Sequence, residues 1–193
     1  MDDNKPKIDP TSYNNETDEY RFGYSLTEIE RLGHQHQVWA EVNRQFIYRS
    51  GFSRGATLVD LGCGPGYTTF DLAKTVGPEG KIIAIDRDGE RSLQLLKEKA
   101  ESAGLFNIET RTADLETLDL QESSVDGVYG RWVLMYLPEK MVKPLICRMA
   151  QWLRPGGVCA LTEICNYRHI HIHPRSTYLP EIAEALIRYF QRY

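Results

Sequence analysis

A glycine-rich turn, Asp60-Leu-Gly-Cys-Gly-Pro-Gly66, carries the strongest chemical signal in the sequence. Glycine tolerates a positive φ and has no Cβ, so such a turn lets a ligand approach the backbone closely. Turns that hold a pyrophosphate space their glycines as G-x-G-x-x-G and bind the anion with backbone amides and a helix N-terminus. Here the spacing is G-x-G-x-G, Pro65 has no amide hydrogen, and the Asp60 carboxylate would repel a phosphate. The turn therefore favours a cationic ligand over a diphosphate.

Two further carboxylates, Asp86 and Asp114, follow the next two apolar runs along the chain. An acid that ends the second strand of such a fold commonly accepts hydrogen bonds from a ribose diol. An acid that ends the third strand can accept from an exocyclic amine such as that of adenine. Each also has a plainer interpretation, because Asp86 could cap the following helix and Asp114 could be a turn residue. Three acids at neighbouring strand ends together fit a ligand with an ammonium group, a ribose and an adenine.

The elements that would position these acids alternate between strand and helix. Short apolar runs predict the strands, and segments with helical periodicity predict the helices between them. The strands are Thr57–Asp60, Lys81–Asp86, Ile108–Ala113, Val125–Tyr129 and Val158–Ile164, and the helices are Tyr67–Val76, Glu90–Ala103 and Pro138–Leu153. Strands that are apolar along their length and alternate with helices indicate a parallel sheet covered on both faces. The predicted fold class is α/β, Rossmann-like and doubly wound, with a mainly parallel sheet and helices on both faces.

The remaining residues suggest how the chain is divided. Residues 1–20 hold six acids and two bases, a composition that is typical of a mobile tail. A long amphipathic helix precedes the glycine turn, and the capping-box spacing of Thr27 and Glu30 predicts its start. The predicted division is an acidic tail at 1–20, an N-terminal cap helix region at 21–54, a cofactor-binding domain at 55–165 and a substrate-side segment at 166–193.

Composition argues against several classes of partner. The formal net charge of −4 equals that of residues 1–20, so the other 21 acids and 21 bases cancel. A neutral body has no electrostatic footprint for nucleic acid or an anionic membrane, and no apolar run approaches the length of a membrane span. The four cysteines form no CxxC pair, which is typical of reduced thiols in a cytoplasmic protein. We therefore expect a small-molecule partner, with no nucleic acid and no membrane, and a homodimer stays open.

Four motifs in a fixed order carry a family resemblance: Asp60–Gly66, Asp86, Ala113-Asp114-Leu115 and Leu153-Arg-Pro-Gly-Gly157. Together they resemble the class I S-adenosylmethionine-dependent methyltransferases, in particular the small-molecule branch that includes quinone-pathway enzymes. The resemblance extends from about Gly55 to Glu163. It implies that the cofactor is S-adenosyl-L-methionine and the product S-adenosyl-L-homocysteine. It also implies transfer of a methyl group, by in-line displacement, to O, N or C of a small-molecule acceptor.

The same resemblance assigns roles to residues at the strand ends. Glycines of the turn and the acid before them would line the methionine half of the cofactor. The acid of the second strand would contact the ribose, and residues after the third strand the adenine. These residues are, in that order, Asp60, Gly62, Gly64 and Gly66, then Asp86 and its neighbour Arg87, then Asp114 and Leu115.

Arg131 and the N-terminal helix complete the implied cofactor site. Arg131 follows the fourth strand and would face the sulfonium, but it could also be a surface cation stacked on Trp132. Tyr24 and Gln35 belong to a Tyr-x-x-x-Glu-x-x-Arg-Leu-x-x-Gln pattern before the main fold. The pattern resembles relatives in which this segment closes over the cofactor, which implies that Tyr24 and Gln35 contact its carboxylate end.

Methyl transfer from a sulfonium needs a nucleophile held in line and in some cases a base that removes its proton. No metal is required, because the cofactor is already activated. In this family the segments after the fourth and fifth strands usually set specificity. The candidate catalytic residues are Glu163, His171 and His173, and the candidate substrate residues are Tyr136, Tyr167 and Tyr178. Glu163 could instead cap or pair locally.

A short histidine repeat, His169-Ile-His-Ile-His173, raises the question of a metal site. In an extended chain the alternation places three imidazoles on one side, and three histidines can hold zinc. No acid lies between Asn166 and Pro180 to orient such ligands. We therefore expect no metal, with these histidines as solvated side chains or proton acceptors.

The family pattern also requires two strands after the fifth, as an antiparallel hairpin at one edge of the sheet. This chain ends at Tyr193, after a helix predicted at Pro180–Arg192, and has no sequence for them. We favour a piece of a longer protein over strands supplied by a partner or a shortened unit without activity. Two functions stay open: a small-molecule methyltransferase, and a cofactor-binding regulatory subunit without catalysis. The glycine spacing and Pro65 disfavour a nicotinamide oxidoreductase.

Overall fold

The computed structural model describes residues 25–164 and 178–190, and the structural statements below concern these residues. Five strands form one sheet: β1 Thr57–Leu61, β2 Lys81–Asp86, β3 Ile108–Thr112, β4 Val125–Arg131 and β5 Leu153–Thr162. All neighbours pair in parallel, in the order β3-β2-β1-β4-β5. The strand order reverses at β1, because β2 lies on one side of it and β4 on the other. The predicted Rossmann-like α/β fold is confirmed.

Helices cover both faces of this sheet. They are α1 Leu26–Arg49, α2 Tyr67–Val76, α3 Ser92–Ser102, α4 Glu139–Trp152 and α5 Leu179–Phe190, with a short 3-10 helix at Leu134–Tyr136. On one face, Leu72 of α2 and Leu96 of α3 pack in a buried cluster with Leu58 of β1. On the other, Trp152 of α4 packs in a second cluster with Val59, the next residue of β1. Successive side chains of β1 therefore point to opposite faces of the sheet and pack in two separate cores, as expected for a doubly wound sheet.

The start of α1 differs from the prediction. The N-cap is Ser25, whose Oγ accepts a hydrogen bond of 3.1 Å from the backbone N–H of Glu28. The predicted pair, Thr27 and Glu30, lies inside the first turns of the helix. The two pairs have identical spacing, so sequence spacing alone could not distinguish them. The extended backbone of Ser25, with ψ of 159°, decides in favour of the earlier pair.

The start of β5 was also predicted wrongly. The strand begins at Leu153, directly after α4, and not at Val158. Leu153 pairs with Val125, and Val158 pairs with Gly127, so residues 154–157 are an insertion between two paired positions. Gly156 allows this irregularity with a φ of +82°. The glycine-rich segment that was predicted to separate helix from strand is therefore part of the strand.

The described residues contribute no strand beyond β5, so its outer edge has no neighbour among them. The described helices include none that is long and apolar enough to cross a membrane.

Candidate functional site

The glycine turn joins β1 to α2 at the carboxyl end of the sheet, beside the reversal of strand order. Gly62, Gly64 and Gly66 have φ values of +61°, +52° and +82°, which are all in the left-handed region. A Cβ at Gly66 would lie 2.5 Å from Leu96 Cγ, and one at Gly62 would lie 2.9 Å from Val133 Cγ2. The turn therefore needs glycine both for its backbone conformation and for close packing against its neighbours.

Asp86, at the end of β2, holds the glycine turn in place. Its Oδ2 accepts a hydrogen bond of 2.8 Å from Gly64 N–H, and its Oδ1 accepts one of 3.0 Å from Asp88 N–H. Burial raises the pKa of the Asp86 carboxyl, and the two backbone hydrogen bonds oppose that shift. The N-cap residue of α3 is Arg91, not Asp86. Asp88 contacts the start of this helix, because its Oδ2 accepts from Ser92 N–H at 2.8 Å.

Asp60 lies under the turn and is buried. Its Oδ2 accepts a hydrogen bond of 2.6 Å from Thr69 Oγ1 of α2. Burial raises the pKa of the Asp60 carboxyl to about 7, while the Thr69 hydrogen bond and the charge of Arg131 lower it. A cation bound nearby would stabilise the ionised form of this carboxyl.

Residues after β3 form a turn at the same edge. Asp114 is exposed, and its Oδ1 accepts from Glu116 N–H at 2.8 Å, as the turn interpretation predicted. The carbonyl of Leu115 accepts a 2.6 Å hydrogen bond from Arg148 of α4, and the Leu115 side chain packs against the second core. Arg87 is exposed directly after Asp86. The fold therefore brings the predicted strand-end residues to one edge of the sheet.

Beyond β4, Arg131 and Trp132 meet the N-terminal helix. The guanidinium carbon of Arg131 lies 4.8 Å from the centroid of the Trp132 ring, and Trp39 of α1 meets that ring edge-on at 5.8 Å. Trp132 has an unusual φ of +57° for a residue with a side chain. The predicted stacking of Arg131 on Trp132 is confirmed, but Arg131 is partly buried and its Nη1 is buried entirely.

The sequence reasoning missed the contact that docks α1 onto α2. The hydroxyl of Tyr67 donates a hydrogen bond of 3.1 Å to the carbonyl of Ile29, and His36 stacks on the Tyr67 ring at 5.6 Å. A Cβ at Gly33 would lie 2.8 Å from the Tyr67 hydroxyl. A glycine inside a helix costs about 1 kcal/mol relative to alanine, so Gly33 was the available signal of a close approach. Gln35, predicted to contact the cofactor, is partly buried on this helix.

Glu163 follows β5 and holds the segment after β4. Its Oε1 accepts hydrogen bonds from the backbone N–H groups of Val133 and Leu134, at 2.8 and 2.9 Å. Burial raises the pKa of the Glu163 carboxyl. Glu163 thus makes the local hydrogen bonds that the sequence analysis gave as the alternative to a catalytic role. These bonds connect the end of β5 to the segment after β4, whose Val133 packs on Gly62.

The other predicted substrate and catalytic residues are only partly covered by the structure. Tyr136 ends the 3-10 helix with 39% of its surface exposed, and Tyr178 precedes α5 with 70% exposed. Other predicted residues lie outside the described part of the chain: Tyr24 of the cofactor set, Tyr167 of the substrate set, and His169, His171 and His173 of the histidine repeat. Within residues 25–164 and 178–190, His, Cys, Asp and Glu side chains form no group of three or more that could hold a metal ion.

The fold and the site define a class of protein. A parallel sheet with a glycine turn at its switch point and acids at neighbouring strand ends is a Rossmann-like fold that binds a nucleoside-containing cofactor. A family model described as a methyltransferase domain matches residues 58–157. The chain therefore belongs to this family, the class I methyltransferases whose cofactor is S-adenosyl-L-methionine, and the resemblance seen in the motifs is confirmed.

Individual relatives are similar to this chain over part of its length. Phosphoethanolamine N-methyltransferase 1 of Triticum aestivum is 36% identical over 118 residues, which cover 59% of this chain and 22% of that protein. Demethylmenaquinone methyltransferase of Lactococcus lactis subsp. lactis (strain IL1403) is 32% identical over 131 residues, 67% of this chain and 50% of that protein. A solved structure of Haemonchus contortus phosphoethanolamine N-methyltransferase 1, in complex with phosphoethanolamine and S-adenosylhomocysteine, matches with a TM-score of 0.57 and 30% identity, covering 64% of this chain and 25% of that one. The chain spans half the length, or less, of the curated relatives named here.

Proposed function

We propose that the protein binds S-adenosyl-L-methionine at the glycine turn and is an enzyme that transfers the cofactor's methyl group to a small-molecule acceptor. The bound cofactor would supply an activated methyl group for in-line displacement by O, N or C. The observation that carries the proposal is the hydrogen bond of 2.8 Å from Gly64 N–H to Asp86, which fixes a turn of three left-handed glycines beside the buried Asp60. This arrangement belongs to a chain that is a member of the methyltransferase family.

The glycine turn has room for such a ligand. A Cβ at Gly64 would meet no atom within 4 Å, so the turn is open on that side. Nearby, Arg131 Nη1 and His36 Nδ1 are buried, and neither has a hydrogen-bond partner in the structure. Because buried polar atoms normally have partners, these atoms support a polar ligand between α1 and the end of β4.

The residue roles implied by the resemblance belong to this proposal. The turn glycines and Asp60 would hold the methionine half, Asp86 the ribose, and Asp114 and Leu115 the adenine. Arg87, Arg131, Gln35 and Tyr24 complete the proposed cofactor set, with Arg131 on the sulfonium side. Glu163, His171 and His173 stay candidates for proton transfer, and Tyr136, Tyr167 and Tyr178 for acceptor binding. A cytoplasmic location and the lack of a nucleic-acid partner are predictions from composition alone, and a homodimer stays open.

Isothermal titration calorimetry with S-adenosyl-L-homocysteine tests the cofactor, and methyl transfer to a panel of small metabolites tests the reaction. We expect saturable binding and turnover on part of the panel, with NAD as a ligand that does not bind. Phosphoethanolamine and demethylmenaquinol belong on the panel, because relatives are named for phosphoethanolamine and demethylmenaquinone. Binding without turnover in the full-length protein would support a non-catalytic subunit. No binding at millimolar concentration would contradict the proposal.

The buried Asp60 predicts an unusual pH dependence of stability. Its pKa is raised from 3.8 to about 7, so the folded protein binds this proton more tightly than the unfolded chain does. The protonated Asp60 carboxyl therefore stabilises the folded protein at low pH. This contribution is lost as the pH rises from 3.8 towards 7, and above that the ionisation of Asp60 changes the stability no further. A shift of this size corresponds to about 4 kcal/mol. We expect Asp60→Asn, whose amide oxygen still accepts from Thr69, to gain stability relative to wild type at pH 8 but not at pH 4, measured by urea unfolding.

The control for this experiment is Asp114→Asn, which changes an exposed carboxylate at the same edge of the sheet. Its difference from wild type should stay small at both pH values. If the two variants showed the same pH dependence, the proposed linkage to Asp60 would be wrong.

Two substitutions separate the roles available to Glu163. Glu163→Gln keeps an oxygen that can accept from Val133 and Leu134, whereas Glu163→Ala removes both hydrogen bonds. The two bonds support a positioning role, so we expect Glu163→Gln to keep turnover within about threefold and Glu163→Ala to lose about tenfold or more. Steady-state kinetics across pH provide the measurement. Equal losses in both variants, with the acidic limb missing from the pH profile, would instead assign proton transfer to the carboxylate.

A further inference from the structure

The guanidinium of Arg131 is charged and has no close ion-pair partner among the described residues. Arg131 is the last residue of β4 and pairs with Thr162 of β5. The residue before it, Gly130, pairs with Leu61 at the end of β1. Arg131 Nη1 is buried without a hydrogen-bond partner, and no ion pair within 4.0 Å involves Arg131 in the described part of the chain. Arginine stays protonated at every physiological pH, so this charge lacks a close counter-ion among the described residues.

The neighbouring carboxylates form no close pair with the guanidinium. Asp60 and Asp71 act on Arg131 electrostatically. Asp60 accepts from Thr69 at 2.6 Å, whereas Asp71 lies 3.9 Å from His36 Nε2 and its buried Oδ2 has no hydrogen-bond partner. Asp86 is occupied by the N–H groups of Gly64 and Asp88. Asp60 and Asp71 therefore act on the guanidinium from a distance, and neither forms an ion pair with it within 4.0 Å.

Aromatic rings hold the guanidinium in a fixed orientation. It stacks on Trp132, which Trp39 supports from α1. The backbone of Trp132 is fixed in turn, because its N–H donates a hydrogen bond of 2.8 Å to the carbonyl of Thr162. A guanidinium in this setting presents a planar set of donors that matches a carboxylate or phosphate.

The geometry points to an acceptor that carries an anionic oxygen group, a carboxylate or a phosphate, which Arg131 binds as its counter-ion. This inference rests on the proposed methyl transfer and adds to it the chemical class of the acceptor. The proposed cofactor brings a positive sulfonium to the same edge of the sheet, and the family resemblance assigns its carboxylate to Tyr24 and Gln35, so the guanidinium is left for a second anion. An anionic acceptor would pair with Arg131 and would also be attracted by the sulfonium, whereas a cationic acceptor would be repelled by both.

The test compares acceptors in pairs that differ only by an anionic group. Phosphoethanolamine against ethanolamine probes a phosphate, and a hydroxybenzoate against its methyl ester probes a carboxylate. We expect wild type to prefer the anionic member of at least one pair by about 10- to 100-fold in kcat/KM. Arg131→Met should reduce that preference to near one, and Arg131→Lys should retain part of it because the charge remains.

Binding of the product and of a truncated analogue controls for the cofactor. S-adenosyl-L-homocysteine has its own carboxylate, whereas 5′-methylthioadenosine lacks the amino-acid half. If Arg131→Met weakens the first and not the second, Arg131 binds the cofactor carboxylate and the inference is overturned. A wild-type enzyme that turns over both members of each pair equally would also overturn it, while leaving the proposed function intact. A protein that binds neither nucleoside contradicts the proposed function itself.

A measurement on unmodified protein covers the case in which the Arg131 variants fail to fold. Benzoate and inorganic phosphate should inhibit wild-type turnover competitively with the acceptor, whereas benzamide should not. Inhibition by none of the three would count against an anion site at Arg131.

Discussion

Gly66→Ala is expected to lower the free energy of unfolding by about 2 to 5 kcal/mol and to abolish binding of S-adenosyl-L-homocysteine. The φ of +82° costs an alanine about 1 to 2 kcal/mol. The new Cβ would also lie 2.5 Å from Cγ and 2.7 Å from Cδ1 of Leu96, a fully buried side chain. Overpacking of this kind costs about 1 to 3 kcal/mol more. Urea unfolding and calorimetry measure the two effects.

Gly156→Ala provides a matched control. Gly156 has the same φ of +82°, but a Cβ there would meet no atom within 4 Å. We expect this variant to lose only the backbone contribution, about 1 to 2 kcal/mol, and to keep its affinity for the cofactor. If the two alanine variants lowered the free energy of unfolding equally, the contact with Leu96 would not contribute to the destabilisation.

Asp86→Ala is expected to weaken S-adenosyl-L-homocysteine binding by about 100-fold or more. The substitution removes the carboxylate that tethers Gly64 and with it the proposed acceptor of the ribose hydroxyls. Hydrogen bonds to a charged group contribute about 1.5 to 3 kcal/mol each, and two such losses correspond to about 100-fold or more in Kd. Calorimetric titration of the folded variant measures the effect.

Asp88→Ala separates affinity from stability. Asp88 is two residues away, and its carboxylate accepts from Ser92 N–H at the start of α3. Loss of this hydrogen bond should cost about 1 kcal/mol of stability with little change in affinity. The role proposed for Asp86 would be wrong if both variants bound the nucleoside as tightly as wild type.

Much of the fold was predictable because its signals are local. The bounds of α2 and β2 match the prediction residue for residue, because glycines flank α2 and an unbroken apolar run forms β2. The errors arose where two local solutions compete. Ser25 and Thr27 share the same capping spacing, and residues 154–157 read as a separating loop although pairing of Leu153 with Val125 draws them into β5.

The sequence by itself determined the parallel α/β fold, the family and the turn at residues 60–66, because periodicity and glycine spacing are properties of short segments. Tertiary structure alone decided which groups meet across long distances in the chain. Gly64 donates to Asp86, 22 residues away, and Val133 donates to Glu163, 30 residues away. Burial of the Asp60 carboxyl and of Arg131 Nη1 was decided in the same way. A side chain's partners and its desolvation depend on how distant elements pack. Only the folded sheet and its helices could therefore set the pKa of Asp60 and leave Arg131 without a close counter-ion.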